Sequence, residues 1–255
     1  MSNTGFKTDS AEPAIPAPII LAIDTSSTEA SLAIYNSEKI IATLTIRDNR
    51  PHSQTLFSQI AAVLSLAELK IQDIGAFAVA SGPGSFTGLR VGLAAVKGLA
   101  DSLNRPCIGI DTLDLLALGS GFDGQQLLII GAGRDEIYCG FRDLSSVDTL
   151  GGLVDDQVGE PSSVLLAMTE YLRQSQLIIT VDGRYIYRDE IFDCIRRMRK
   201  ALAGDSGAQP IFLTPALNIS AVLAKRAALL IKENRITPVK PHYIRRSDAE
   251  IKCKR

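Results

Sequence analysis

Charge of either sign is missing in excess from this 255-residue sequence: 27 Lys and Arg stand against 28 Asp and Glu, for a formal net charge of -1. With a pI near 6.2, the chain has no global attraction to nucleic acid or to an anionic membrane, so any RNA contact must be local or supplied by a partner. Long apolar runs are absent too. None approaches the roughly 18 residues needed to cross a bilayer. The four cysteines, Cys107, Cys139, Cys194 and Cys253, lie far apart, form no Cys-x-x-Cys pair and have no histidine cluster beside them. Structural zinc is therefore not expected, and reduced thiols in a cytoplasmic protein are.

Histidine is scarcer still, with only His52 and His242. Two histidines four apart on one helical face would make a bidentate metal site, but the position four after His52 is Leu56. No metal site is expected. The sequence also has no nucleophile elbow and no carboxylate pair at helical spacing near a histidine, so no catalytic residue is assigned.

What the chain does have is material for a core: 46% of its residues are hydrophobic and 22% charged, enough for one large domain or two small lobes. Backbone constraints concentrate in Ser81-Gly82-Pro83-Gly84-Ser85-Phe86-Thr87-Gly88-Leu89-Arg90-Val91-Gly92. This stretch follows the apolar run Ala76 to Ala80 and opens a long helical pattern, with Ser85 or Thr87 available as a cap. A strand stops, turns sharply and becomes a helix. The loop reads either as an anion site at the helix N-terminus or as a tight corner with no ligand.

Residues 1 to 18 carry Pro13, Pro16 and Pro18 among small and polar types and lack the basic start and apolar centre of a secretory signal, so a disordered arm is expected. Ile19 to Ile23 suits a buried strand. Asp24-Thr25-Ser26-Ser27-Thr28 leaves it either as a ligand-orienting loop or as a simple Asx turn. Ser31 to Tyr35 and Lys39 to Ile46 continue a meander. Leu56, Phe57, Ile60, Val63, Leu64 and Ala67 mark an amphipathic helix capped by Ser53.

The next helix, Thr87 to Leu103, has two non-polar stripes. Leu89, Leu93, Val96, Ala100 and Leu103 form one, and Gly88, Gly92, Ala95 and Leu99 the other, with Arg90, Lys97, Asp101 and Asn104 as a polar strip. One stripe suits its own sheet, and the second suits a neighbouring lobe or a second protein chain.

A short strand, Cys107 to Ile110, and a brief helix, Thr112 to Leu118, follow. Gly119 to Gly124 reads as the linker between lobes. The second half restarts with strands at Leu127 to Ile130 and Ile137 to Arg142, a helix at Pro161 to Leu172 and a strand at Leu177 to Val181, turning at Asp182-Gly183. Ile191, Ile195, Met198 and Leu202 mark a helix whose outer face carries Arg188, Arg196, Arg197, Arg199 and Lys200, either a solvated face or a contact for nucleic-acid phosphates. Asn218 to Lys232 is the last helix. The four segments are then 1–18 (arm), 19–112 (first lobe), 113–236 (second lobe) and 237–255 (extended tail).

As a whole string, Ser81 to Gly92 closely resembles the signature of the bacterial TsaB family, also called YeaZ, the small partner subunits in making threonylcarbamoyladenosine on tRNA. Ile20-Leu21-Ala22-Ile23-Asp24-Thr25-Ser26-Ser27 is similar to that family's first strand and loop, and Pro241-His242-Tyr243-Ile244-Arg245 to its closing segment. The resemblance covers about residues 19 to 250 and is strongest before Thr112. It thins at one turn, where the family usually has an Asp-Ala-Arg-Arg type string and this chain has Gly131-Ala132-Gly133-Arg134 ahead of Glu136 and Tyr138.

The resemblance implies an α/β, two-lobed actin/sugar-kinase/Hsp70-like fold with a mixed sheet and flanking helices in each lobe. It implies that the first two helices contact a TsaD-type catalytic subunit or, when alone, a second copy. On this sequence that interface is Leu56, Phe57, Ile60, Leu64, Arg90 and Lys97, and charged substitutions at Leu56 or Ile60 are expected to leave the fold intact. A TsaE-type ATPase and tRNA would join through the complex. In full members of the superfamily a nucleotide sits between the lobes. Here Asp24, Ser26, Gly82 and Gly84 are the candidate nucleotide or anion loops; they are incomplete, so at most weak nucleotide binding is expected. The expected function is a non-catalytic subunit for threonylcarbamoyladenosine formation, with a metal-dependent glycopeptidase-like enzyme or an ATP-binding small-molecule kinase as alternatives.

Overall fold

All five residues of the first strand, Ile20–Asp24 (β1), are buried, which a strand covered on both faces requires of a nearly continuous apolar run. The computed structural model describes residues 18–36, 38–133, 135–145, 152, 155–168, 178–181, 193, 196–197, 200, 211–214, 218–236 and 238–244. β1 pairs antiparallel with Glu29–Asn36 (β2), which pairs antiparallel with Lys39–Arg47 (β3). On its other side β1 pairs parallel with Ala76–Ala80 (β4), which pairs parallel with Cys107–Ile110 (β5). The sheet order is β3-β2-β1-β4-β5.

At the centre of this sheet the two faces differ in side-chain size. Leu21, Ile23, Phe77 and Val79 point to one face, where helices His52–Leu66 (α1) and Phe86–Leu103 (α2) bring Leu56, Ile60, Val63, Leu89, Leu93 and Val96 against them. The alternate positions Ala22, Ala33, Ala76, Ala78 and Ala80 line the other face, which is covered by Ile219–Lys232 (α5), itself contributing Ala221, Ala224 and Ala227. Alanine on both sides lets α5 lie close to the sheet. Ser53 is the second residue of α1 rather than its cap: Pro51 holds that position, and no side chain caps the helix. Ser85 caps α2, as expected, accepting from the Gly88 N–H at 3.2 Å.

The second sheet repeats the plan. Gln125–Gly133 (β6) and Glu136–Asp143 (β7) pair antiparallel, with Gln157–Gly159 (β8) beyond β7, while Ile178–Val181 (β9) and Ile211–Leu213 (β10) run parallel on the other side of β6. Its order, β10-β9-β6-β7-β8, reproduces the first sheet strand for strand. β8 and β10 have three residues each, too few to register as strands in the sequence. Pro161–Ala167 (α4) packs Val164 and Leu165 on this sheet.

Helix Thr112–Gly119 (α3) stands between the sheets. It gives Leu115 to the alanine-lined cluster of the first, and Leu113, Leu116 and Ala117 to a cluster with Leu128, Ile130 and Tyr138 of the second. The drawn second lobe, 113–236, therefore needs correcting at its end, because α5 follows the second sheet in the chain yet packs on the first. Its apolar stripe fits the small-residue face left open there. The expected arm, except Pro18, the turn at Asp182-Gly183, and Ile191, Ile195, Met198 and Leu202 lie outside the described residues, as does the tail beyond residue 244.

Two glycines of α2 make the packing testable. A Cβ on Gly88 would overlap the Thr25 carbonyl oxygen, whereas one on Gly98 meets nothing within 4 Å. In urea unfolding, Gly98→Ala should stabilise by about 0.5–1 kcal/mol through helix propensity. Gly88→Ala should destabilise by about 1–3 kcal/mol despite the same propensity gain. Equal effects at both positions would contradict this packing.

Candidate functional site

The four residues of the candidate nucleotide loops come together at one end of the first sheet. Asp24 is buried, and its Oδ1 accepts the Ser26 N–H at 2.8 Å, an Asx turn. The Ser26 carbonyl accepts the Ser85 N–H at 2.6 Å, and Thr25 Oγ1 donates to the Gly88 carbonyl at 2.8 Å. The loop after β1 is thus docked on the first turn of α2. A Cβ on Gly84 would overlap the Ser26 carbonyl, and one on Gly82, where φ is 112°, would meet the His242 carbonyl. This geometry accounts for both glycines without a ligand.

The expected interface residues divide into two groups. Leu56, Ile60 and Leu64 are buried in the core between α1, α2 and the first sheet, so they are not a surface for a partner. Nor would a charge there leave the fold intact, because it would sit among apolar side chains with nothing to pair with. Phe57, by contrast, is 61% exposed, and Arg90 and Lys97 are exposed on α2. The second stripe of α2 also needs correcting. Gly88 and Gly92 face Thr25 of the same chain, and Ala95 is buried.

What remains outward is a different set. α1 contains no Asp, Glu, Lys or Arg, and its exposed positions include Phe57, Ala61, Ala62 and Leu66, the last 63% exposed. Ala94 and Gly98 of α2 are exposed as well. The signal for this face was legible as fifteen successive residues without a charge, which a fully solvated helix face rarely shows.

A second arrangement was not anticipated. Arg142 of β7, 3% exposed, lies among three carboxylates. Its Nη1 and Nη2 donate to the two oxygens of Asp156 at 2.7 and 2.9 Å, its Nε donates to Asp114 of α3 at 2.6 Å, and Nη2 lies 3.6 Å from Asp111. Burial works against the guanidinium's charge, but the bonds to Asp156 and Asp114 outweigh it and hold the proton more tightly than usual. Asp114 is pushed above the ordinary carboxylate range, first by burial and then by Asp111. Gly140 makes the approach possible, since a Cβ there would overlap Asp156.

The two histidines are engaged separately. His52 Nε2 is 2.7 Å from the Ser27 carbonyl, and His242 Nδ1 is hydrogen-bonded to Asp111, whose other oxygen accepts from Leu113 and Asp114 N–H to cap α3. Donor atoms of Asp111, Asp156 and His242 lie within 4.8 Å of one another. Arg142 already bonds Asp156 there, and a guanidinium in that place repels a cation. Arg196, Arg197 and Lys200 of the basic cluster are exposed, while Arg188, Arg199 and the Arg134 position lie outside the described residues. No described helix is long and apolar enough to cross a membrane.

Two sheets of identical strand order, each a meander joined to a parallel pair and flanked by helices, define the two-lobed α/β class of actin, sugar kinases and Hsp70. The model of the TsaD family, described as tRNA N6-adenosine threonylcarbamoyltransferase, matches residues 39–182. The tRNA threonylcarbamoyladenosine biosynthesis protein TsaB of Bacillus subtilis is 31% identical over 156 residues, covering 61% of this chain and 66% of that protein. TsaB of Escherichia coli is 37% identical over 122 residues, covering 47% and 52%. YeaZ from Pseudomonas aeruginosa superposes with a TM-score of 0.67 at 22% identity, over 89% of this chain and 100% of that one, which shows a shared fold. The chain belongs to the TsaB (YeaZ) family. The matched stretch spans between about half and two thirds of the length of these curated relatives.

Removing the guanidinium would leave three partly buried carboxylates facing one another. Arg142→Met should cost about 3–5 kcal/mol in urea unfolding at neutral pH. The loss should shrink as pH falls, because the stranded carboxylates take up protons in the folded state more readily than in the unfolded one. A pH-independent or negligible loss would show that the cluster carries no such charge balance.

Proposed function

We propose that this chain is a non-catalytic subunit in the formation of threonylcarbamoyladenosine on tRNA. It binds a TsaD-type catalytic subunit through the outer face of α1 and α2, acts alongside a TsaE-type ATPase, meets tRNA through the assembled complex, and pairs with a second copy when alone in the cytoplasm. The observation that carries this reading is the charge-free outward side of α1, where Phe57 and Leu66 are each more than 60% exposed. Exposed apolar side chains at that density are the mark of a surface that another protein covers. Arg90 and Lys97 then form its polar rim, the part of an interface that sets register and partner choice.

Family membership supports the pathway, since the relatives are named as biosynthesis proteins of this modification. Nucleotide, if bound at Asp24, Ser26, Gly82 and Gly84, binds weakly on this reading, because Ser26 and His242 already take up the backbone approaches at the two glycines.

The test separates surface from core. Phe57→Glu should keep a cooperative unfolding transition close to wild type, yet weaken capture of the TsaD-type protein by at least about tenfold and deplete the modified nucleoside in tRNA. Leu56→Glu, one residue away, should fail to fold. Undiminished capture and modification by the Phe57→Glu protein would overturn the assignment.

A further inference from the structure

Residues 238–244 lie across the junction of the two lobes. Val239 packs on Gly109 of β5, where a Cβ would come within 3.0 Å of it. The His242 N–H donates to the Ser81 carbonyl at 2.8 Å, and the His242 carbonyl lies against Gly82. The Tyr243 ring is 5.2 Å from that of Phe86, and the Arg90 guanidinium lies 3.8 Å over Phe86 and 5.9 Å from Tyr243. Ile244 joins the cluster of Leu113, Leu128 and Tyr138. Among the described residues, one side-chain polar bond ties this segment down: His242 Nδ1 to Asp111.

We propose that residues 238–244 form a proton-operated strap, locked across the Gly82–Gly84 loop when His242 is protonated and loosened when it is not. The charges facing the imidazole come from three elements: Asp111 at the start of α3, Asp156 before β8, and Arg142 of β7, with Asp114 of α3 behind the guanidinium. Three carboxylates against one guanidinium leave an excess of negative charge that a proton on His242 reduces. The hydrogen bond that His242 donates to Asp111 raises its affinity for that proton, half-burial opposes it, and the fields of Asp111 and Asp156 outweigh that of Arg142.

The sign follows. A histidine whose folded-state value lies above its unfolded one stabilises the docked strap below the ordinary value of about 6.5, and that contribution is lost as pH rises through the raised value. Loosening removes the Tyr243 ring from Phe86 and from beside Arg90, and so changes the surroundings of Arg90 at the rim of the α1–α2 face. That last consequence rests on the partner reading above, whereas the strap itself does not.

The isolated full chain provides the test. With only two histidines, the ring signals of His52 and His242 can be followed by NMR. His242 should titrate above about 6.5 and move back toward it in Asp111→Asn, a change that keeps an acceptor for the α3 cap. Amide exchange at Gly82, Gly84, Val239, Lys240 and 242–244, corrected for intrinsic base catalysis, should be at least about threefold faster above that titration than below it. His242→Gln should exchange fast at every pH while unfolding cooperatively. An ordinary His242 titration, or corrected exchange that is the same on both sides of it, would overturn the strap. Capture of the partner by wild type at two pH values, set beside the Phe57→Glu variant, keeps the two ideas apart: normal capture by that variant sinks the partner reading and leaves the exchange result standing.

Discussion

A buried guanidinium cannot be left without partners, and the way this chain satisfies Arg142 organises the junction between its lobes. The side chain leaves β7 of the second sheet, takes two oxygens from Asp156 ahead of β8, and takes a third from Asp114 of α3. α3 in turn divides its apolar residues between both sheets. One cation therefore fixes the second sheet to the helix that the first sheet also packs against. Burying these charges is unfavourable by itself, so the cluster holds only while every partner is in place. Its surplus negative charge reaches His242 and hence the C-terminal segment.

The first lobe shows how a helix can appear to have more buried surface than a single sheet needs. α2 has two non-polar stripes, and both are used within the chain: leucines and valine on the sheet, glycines against Thr25. Close approach of a loop, rather than a second protein, explains Gly88 and Gly92. The surface left for a partner comes instead from α1, on the side away from Leu56 and Ile60. Its mark is the absence of charge along α1 rather than an extra apolar stripe.

Much of this architecture is legible in the chain itself, because local patterns carry it. The apolar runs at β1 and β4, the amphipathic spacing of α1, the Ser85 cap and the turn-and-helix string from Ser81 depend on neighbours a few residues away, and they place the first lobe almost residue for residue. Two three-residue strands escaped, since their pairing depends on strands already present. Asp24, Ser26, Gly82 and Gly84 stand in two loops whose turn residues are legible in the sequence, yet nothing local says that Ser26 and His242 fill the space beside the two glycines.

The sequence by itself determined the family, the doubled sheet and the helices, since strand and helix periods and a twelve-residue signature are properties of contiguous residues. Tertiary structure alone decided that α5 returns to the first sheet, which face of α1 stays open, and that Arg142, Asp114, Asp156 and His242 meet. Those contacts join positions 14 to 131 residues apart, and charge compensation at such separations leaves no periodic trace along the chain.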